Sequence, residues 1–500
     1  MKFLTAFALT VLVATSAIAQ SADDRKKLAN EVIERNAKTI AEIGDAVYFF
    51  AEPGMQEFES TKMLKATLEA AGFQVELGGA GMPTNLWAKW GNGHPIIAIA
   101  TEIDSLPEGN QTPLEFARKP MVAGAPGHME GHNTHAGVSL AAMFAVKQVM
   151  ERDKLPGTIV LSLGPAEEQL ASRPFLVRAG YFKDVDAALI IHIGQNLSTG
   201  YGLMNYAAIS AKFTFHGKTA HGAVNPWDGK DALDAVELMD IGFDKLREHM
   251  RPTYRGHRTI TMGGIQPNII PDLAQIWWFV RDASGPAAKS NFDRLVNVGK
   301  GAAMMTDTTM EMEVVASAWP SLGNKVIAEA VQKNIEAVGM PTWTDQEVQF
   351  AKDFQKSTGA REIGLDTKVT PFGARPQSFA SNDIGDITWN VPTGSLSFPA
   401  SVPGIPYHNW VAAVTPTSTI AHKGMVTGAK VLAASVLDLL TSPELLQKAR
   451  EQFQADTKNS PYFTLLPPEA KPPVELNKEV MDKLRPEMAK HYMKISPRFN

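Results

Sequence analysis

The chain reads as an α/β protein: a mostly parallel sheet with helices on both faces, and a small α+β unit inserted into it. Three observations predict this. Short apolar runs alternate with helix-spaced segments over the first 205 residues, polar residues gather directly after each run, and the pattern changes near Asn205. Strands separated by helices imply crossovers between parallel strands, which bury both faces of the sheet.

The first run, 95–100 (PIIAIA), leads into Thr101-Glu102-Ile103-Asp104. The second, 158–163 (TIVLSL), leads into Gly164-Pro165-Ala166-Glu167-Glu168, and the third, 187–191 (AALII), leads into His192. Between the first two, residues 138–150 have the apolar spacing of a helix. Ligands collect beyond the carboxyl ends of parallel strands, so the acids and imidazoles after these runs become site candidates. From there the reading changes: a half-buried strand at 207–216, a helix with an apolar face at 230–249, a strand pair at 258–263 and 273–281, a helix at 287–304 and a last strand at 310–315. That order makes a small α+β sandwich. The predicted division is a main domain at 25–205, an inserted unit at 206–316, a return to the main domain at 317–440 with helices near 322–338 and 417–440, and an extension at 441–500. The extension, helical and then rich in proline and charge, reads as a surface-packed tail without assignable chemistry.

A length of 500 residues exceeds what one ordinary core fills. Hydrophobic residues at 44% and charged residues at 20% fit a soluble globular protein. A formal net charge of −5, with no long run of one sign, argues against nucleic acid as a main partner. Residues 1–19 read as a secretory signal: Lys2, an apolar stretch from Phe3 to Val13, and Ala17-Ile18-Ala19 as an A-x-A site, with cleavage before Gln20. The mature chain is therefore expected to be exported, and periplasmic in a Gram-negative source. No later segment reads as membrane-crossing. Without cysteine, any metal falls to His, Asp and Glu.

Gly127-His128-Met129-Glu130-Gly131-His132-Asn133 carries potential ligands at every second position. Read as extended, it aims Glu130 and His132 the same way. Glu168, His192 and His408 can close on the same point, and imidazole with carboxylate suits divalent ions. In an extended Glu167-Glu168 pair the carboxylates face opposite ways, so one can bind metal while the other serves as base to an attacking water. Any one of these histidines alone is more often structural, His128 and His135 included.

The segments EIDSLPEGNQ, GHMEGHN, GPAEEQ, DAALIIH, GKTAHGAVNPWDGKDALDAVE, GGIQPNIIPD, SNDIGD and PYHNWVAA, in this order, resemble the dizinc aminoacylase/carboxypeptidase superfamily, most of all its aminobenzoyl-glutamate hydrolase branch. The resemblance spans roughly residues 25–460. It implies a catalytic domain with an inserted lid or dimerisation domain, two divalent ions (Zn2+ or Mn2+), and hydrolysis of the amide bond of an N-acyl amino acid. It implies Glu167 as general base; Glu130, His132, Glu168, His192 and His408 as metal ligands; and Asp104 as the residue that orients a ligand histidine. It further implies that His221 stabilises the oxyanion, acting in the partner protomer's site of a homodimer, and that Asn268 and Arg281 bind substrate. Read bare, His221 is equally a loop or capping histidine and Arg281 an ion-pair residue. One departure is Glu130, where relatives carry Cys in GHxCGHN; losing a soft ligand shifts preference toward hard ions such as manganese. Another is Glu102, at a position that is His in the aminoacylase branch, to which no ligand role is assigned. The alternatives are a broad dipeptidase or aminoacylase of the same mechanism, and a non-catalytic periplasmic ligand-binding protein. A solute-binding protein needs neither the Glu-Glu pair nor the ligand cluster, and its second lobe would be a doubly wound sheet.

Overall fold

A computed structural model describes residues 22–500; the signal reading at 1–19 falls outside the described residues. The strands run β1 (Gln74–Leu77), β2 (Leu86–Asn92), β3 (Ile96–Thr101), β4 (Gly157–Leu163), β5 (Ala187–Gly194), β6 (Gly202–Leu203), β7 (Ala207–His216), β8 (Arg255–Met262), β9 (Leu273–Asp282), β10 (Thr309–Ala318), β11 (Leu322–Gly323) and β12 (Thr393–Pro399).

The larger sheet has the order β1-β2-β4-β3-β5-β12. β4, β3, β5 and β12 are mutually parallel, and β2 and β1 continue the sheet antiparallel. The parallel centre is built from the apolar runs: every residue of β4 is buried, as are five of the six in β3. Helices Asn133–Asp153, Ala37–Phe50 and Thr419–Thr441 pack together on this core. The last of these is long and apolar enough to cross a membrane, unlike the sequence expectation for this region. Here its apolar surface is spent inside the protein: Val431, Leu432, Val436, Leu437 and Leu439 are all buried, each contributing about 1.5–3 kcal/mol of burial.

The chain leaves the larger sheet after β5 and builds an antiparallel sheet of order β10-β7-β9-β8. Helices Ala232–Leu246 and Gly285–Met305 cover one face. Strict alternation in β9 sets Ala274, Ile276, Trp278 and Val280 toward the helices and Gln275, Trp277, Phe279 and Arg281 to the other face. The outgoing and returning connections lie side by side, because β6 and β11 pair antiparallel through Leu203↔Leu322 and Gly202↔Gly323.

The C-terminal extension is more than a surface tail. Met481 and Met488 are buried beside Ala51 and Ala125, Arg485 pairs with buried Glu52, and Asn477 Nδ2 donates to the Gly54 carbonyl at 2.9 Å. Farther up the tail, Tyr462 donates its hydroxyl proton to Asp386 Oδ1 at 2.7 Å, and Asp386 Oδ2 accepts the Trp319 N–H at 2.9 Å.

Burial pushes the Asp386 carboxyl up to about 7, against the pull of these hydrogen bonds. A carboxyl raised above its unfolded value of about 3.9 binds its proton more tightly in the native state, so its contribution to stability declines as pH rises between those two values. The melting temperature of the wild type, taken relative to Asp386→Asn, should therefore fall steadily from about pH 4.5 to about pH 7.5. A difference that stays constant over that range would refute the assignment.

Candidate active site

The carboxyl ends of β3, β4 and β5 open into a cavity of about 900 Å³ whose floor carries Glu130, Glu167, Glu168, His192 and His408. The local backbone differs from the extended readings of the sequence. Gly131 has φ +91° and His132 is already right-handed as the N-cap of helix Asn133–Asp153. Glu130 and His132 therefore approach the site around a turn, not along one face of a strand. Glu167–Gln169 is one turn of 3-10 helix between left-handed Ala166 (φ 54°) and Leu170 (φ 59°). Both carboxylates of the Glu-Glu pair consequently face the same place: one oxygen of each lies within 4.8 Å of the other and of a His132 nitrogen. The expectation that they diverge by strand alternation fails because the strand ends at Leu163.

The remaining candidates fall as follows. Glu130, Glu168 and His408 form one ligand-competent group, with His408 Nε2 2.8 Å from Glu130 Oε2 and 3.3 Å from Glu168 Oε2. His192 lies within β5, with Nε2 3.4 Å from Glu130 Oε1. Asp104 Oδ2 accepts the Glu168 N–H at 3.0 Å, and its Oδ1 lies 3.6 Å from His132 Nδ1. Arg281 reaches the cavity from β9. His221 and Asn268 do not. They sit together on the exposed far end of the inserted domain, where the Gly222 N–H donates to the Asn268 carbonyl at 2.9 Å. His221 Nδ1 accepts the N–H groups of Ala223 and Val224 at 3.1 and 3.2 Å, which leaves Nε2 as the outward donor.

Several residues that hold the site have no role that the sequence patterns assign. Glu102, fully buried, joins Arg173 (Nη2 to Oε2, 2.6 Å) and His135 (Nδ1 to Oε1, 3.3 Å), while also lying within ligand distance of His132 and His192. Burial would raise its carboxyl, but the His135 hydrogen bond and the Arg173 charge outweigh that and hold it well below the usual range. The Ile193 N–H donates to His135 Nε2 at 2.9 Å, so Nδ1 carries the proton that faces Glu102. Arg173 continues to Asp383 (Nη1 to Oδ1, 3.2 Å), whose Oδ2 accepts the backbone N–H groups of Ser172 and Arg173. Glu57 accepts the Ala166 N–H at 3.0 Å and the Thr84 hydroxyl at 2.6 Å, pinning the strained residue before Glu167. The SNDIGD segment could have pointed to Asp383; nothing in periodicity marks Arg173 or Glu57.

The residues fit divalent cations. His132 is fully buried, yet among the described residues neither ring nitrogen has a hydrogen-bond partner, and Asp104 Oδ1 is likewise unpartnered. Burial and the neighbouring Glu168 carboxylate push Glu167 well above the usual range, and burial, partly offset by His132, raises Glu168 to about 8. Acids crowded this way want positive charge between them, and oxygen and nitrogen donors at this spacing supply a coordination shell for it.

Three comparisons bear on this arrangement. The profile of peptidase family M20/M25/M40 matches residues 98–390. One component of the p-aminobenzoyl-glutamate hydrolase of Escherichia coli (strain K12) is 32% identical over 470 residues, covering 89% of this chain and 98% of that one. The Xaa-Arg dipeptidase of Mus musculus is 26% identical over 86% of this chain and 92% of its own. Among solved structures, the Bacillus subtilis YXEP protein, described as a dinuclear metal binding peptidase from the M20 family, superposes with a TM-score of 0.53 at 18% identity, over 81% of this chain and 99% of that one.

Removing one partner of a buried ion pair leaves an uncompensated charge, which costs about 3–5 kcal/mol. Arg173→Met is expected to lose stability on that scale in denaturant unfolding, and adding Glu102→Gln should recover part of the loss. Stability within about 0.5 kcal/mol of wild type would mean that the charge chain does not hold the site.

Proposed function

The chain belongs to peptidase family M20/M25/M40 and is thus a metal-dependent hydrolase of amide or peptide bonds; from that premise we propose that it cleaves N-acyl amino acids, with an aromatic acyl group and a glutamate-like leaving amino acid. The observation that carries the reading is the convergence of Glu130, Glu167, Glu168, His192 and His408 on one cavity, with His132 behind them. The relative of 32% identity, named for p-aminobenzoyl-glutamate, supports the substrate class. The dipeptidase relative supports a broader specificity on the same machinery.

Glu130, His132, Glu168, His192 and His408 would hold two divalent ions, zinc or manganese, with Asp104 orienting His132. Such ions lower the pKa of water and polarise a carbonyl. Glu167 takes the proton of the attacking water and returns it to the leaving nitrogen. Arg281 binds the substrate carboxylate. His221, through Nε2–H, stabilises the oxyanion, and Asn268 accompanies it.

Because His221 and Asn268 lie away from their own chain's cavity, they serve a second copy of the chain in a homodimer. β8 is the free edge of its sheet and exposes Ile260 and Met262, with Ile265 beyond it, a surface suited to strand pairing with that copy. Export follows from Lys2, the apolar stretch and Ala17-Ile18-Ala19; Gln20 as the N-terminus of protein recovered from the periplasm is the corresponding observation.

Purified enzyme should carry about two divalent ions per chain and hydrolyse p-aminobenzoyl-glutamate. Glu167→Gln should keep its metal content while turnover falls by about 10²–10⁴-fold. Turnover near wild type would remove Glu167 from the base role. Mixed dimers of His221→Ala and Glu167→Gln protomers should regain activity that neither parent has; none after demonstrated protomer exchange would place His221 outside the partner's site.

A further inference from the structure

Arg255 and Arg281 are direct partners across the β8/β9 ladder, on the face that lacks helices. Side chains at such positions stand about 4.5–5.5 Å apart at Cβ, and like charges there are destabilising. Among the described residues neither has a carboxylate partner. Among these residues Arg255 donates to the carbonyls of Pro252 and Tyr254 alone, at 2.8 and 2.7 Å, and Arg281 Nε is buried without an acceptor. Arg258, on the opposite face of the same strand, shows how this fold neutralises a structural arginine: it pairs with Asp240 and, at 3.4 Å, with Asp244.

A third guanidinium enters the cavity from the main domain. Arg375 Nη2 donates to Ser198 Oγ at 2.7 Å and meets no carboxylate among the described residues. Burial lowers the proton affinity of both Arg281 and Arg375 with no acid to restore it. The cavity is therefore polarised, with acids on the floor and, on the walls, three guanidiniums that have no carboxylate partner among the described residues, although Arg255 and Arg281 lie over the rings of Phe379 and Phe279. One carboxylate can accept from a guanidinium pair, and a third guanidinium contributed by the other domain calls for a second acid.

We propose that Arg255 and Arg281 together grip one substrate carboxylate and that Arg375 grips a second, so that the site selects a dicarboxylic amino acid as the leaving group. The inference rests on the amidohydrolase reading above, and adds Arg255 and Arg375 as specificity-determining residues. A guanidinium meeting a carboxylate forms paired charge-assisted hydrogen bonds, and the neutral side chain of glutamine offers no equivalent.

The test uses metal-loaded enzyme and two ligands that need no turnover, glutarate with two carboxylates and butyrate with one, titrated calorimetrically. Wild type should bind glutarate about tenfold or more tightly than butyrate. Arg375→Gln should abolish that preference while leaving butyrate within about twofold, Arg255→Gln should weaken both ligands together, and Arg258→Gln should leave the ratio unchanged. Kinetics on p-aminobenzoyl-glutamate and p-aminobenzoyl-glutamine should show the same collapse of preference in Arg375→Gln, as a change in kcat/KM for the glutamate substrate only. Absence of a glutarate preference in wild type, or equal losses on both ligands in Arg375→Gln, overturns the two-carboxylate grip even if hydrolysis is found. A preference that depends on Arg375 in an enzyme that hydrolyses neither substrate would sustain the grip and defeat the amidohydrolase reading instead.

Discussion

Glu102, Arg173 and Asp383 form a charge chain with no access to water. Each member comes from a different part of the fold: the residue after β3, the helix that follows the Glu-Glu turn, and the loop before β12. Burying any one of these charges alone would be prohibitive, and together they are tolerable only if the three segments keep their relative positions. The chain thus acts as a positional constraint on the strand ends from which the site is built. His135 links it to the next layer, with one ring nitrogen facing Glu102 and the other accepting the N–H beside His192. Through His135 and Glu102 this buried chain is tied to the imidazoles at the cavity floor.

A second support comes from farther away in sequence. Glu57 holds the backbone of Ala166, and the segment carrying Glu57 is in turn held by Glu52 and the C-terminal extension through Arg485 and Asn477. Glu52 also caps the following helix, accepting the N–H groups of Glu59 and Ser60 at 3.0 and 2.9 Å. The left-handed Ala166 is costly for a residue with a side chain. It persists because hydrogen bonds from several directions fix the turn, and that turn is what brings Glu167 and Glu168 to the same place.

The parallel centre of the sheet was legible because strands buried on both faces must be continuously apolar, as PIIAIA and TIVLSL are. β1 and β2 escaped that reading: β1 lies at the sheet's edge with exposed residues, and β2 is polar toward its end. β12 escaped it because its sequence, TGSLSFP, mixes serine and glycine into a buried strand. The antiparallel insert was legible from alternation, since one of its faces is covered and the other is not. At the site, residue types and their places after strands could be read, but conformation could not. Gly131 and Ala166 turn the chain by positive φ angles that composition does not encode, so arguments from strand alternation reached the ligand candidates by a route the backbone does not take. Arg255 was invisible for another reason: its meaning comes from the residue opposite it, and register across a ladder is a tertiary fact.

The two short strands β6 and β11 bring the departure and the return of the inserted domain into hydrogen-bonding contact. An insertion whose ends are neighbours can be excised and replaced without rethreading the host sheet. The segment from β7 to β10 is, in that respect, a cassette: it contributes Arg255, Arg281, His221 and Asn268, while the acids and imidazoles of the floor all belong to the host. The residues of the floor and Arg375 therefore lie in the host, and Arg255, Arg281, His221 and Asn268 in the stretch between its two parts, so that recombination at residues 202–203 and 322–323 would exchange everything the insert adds to the site, His221 included, and keep the floor.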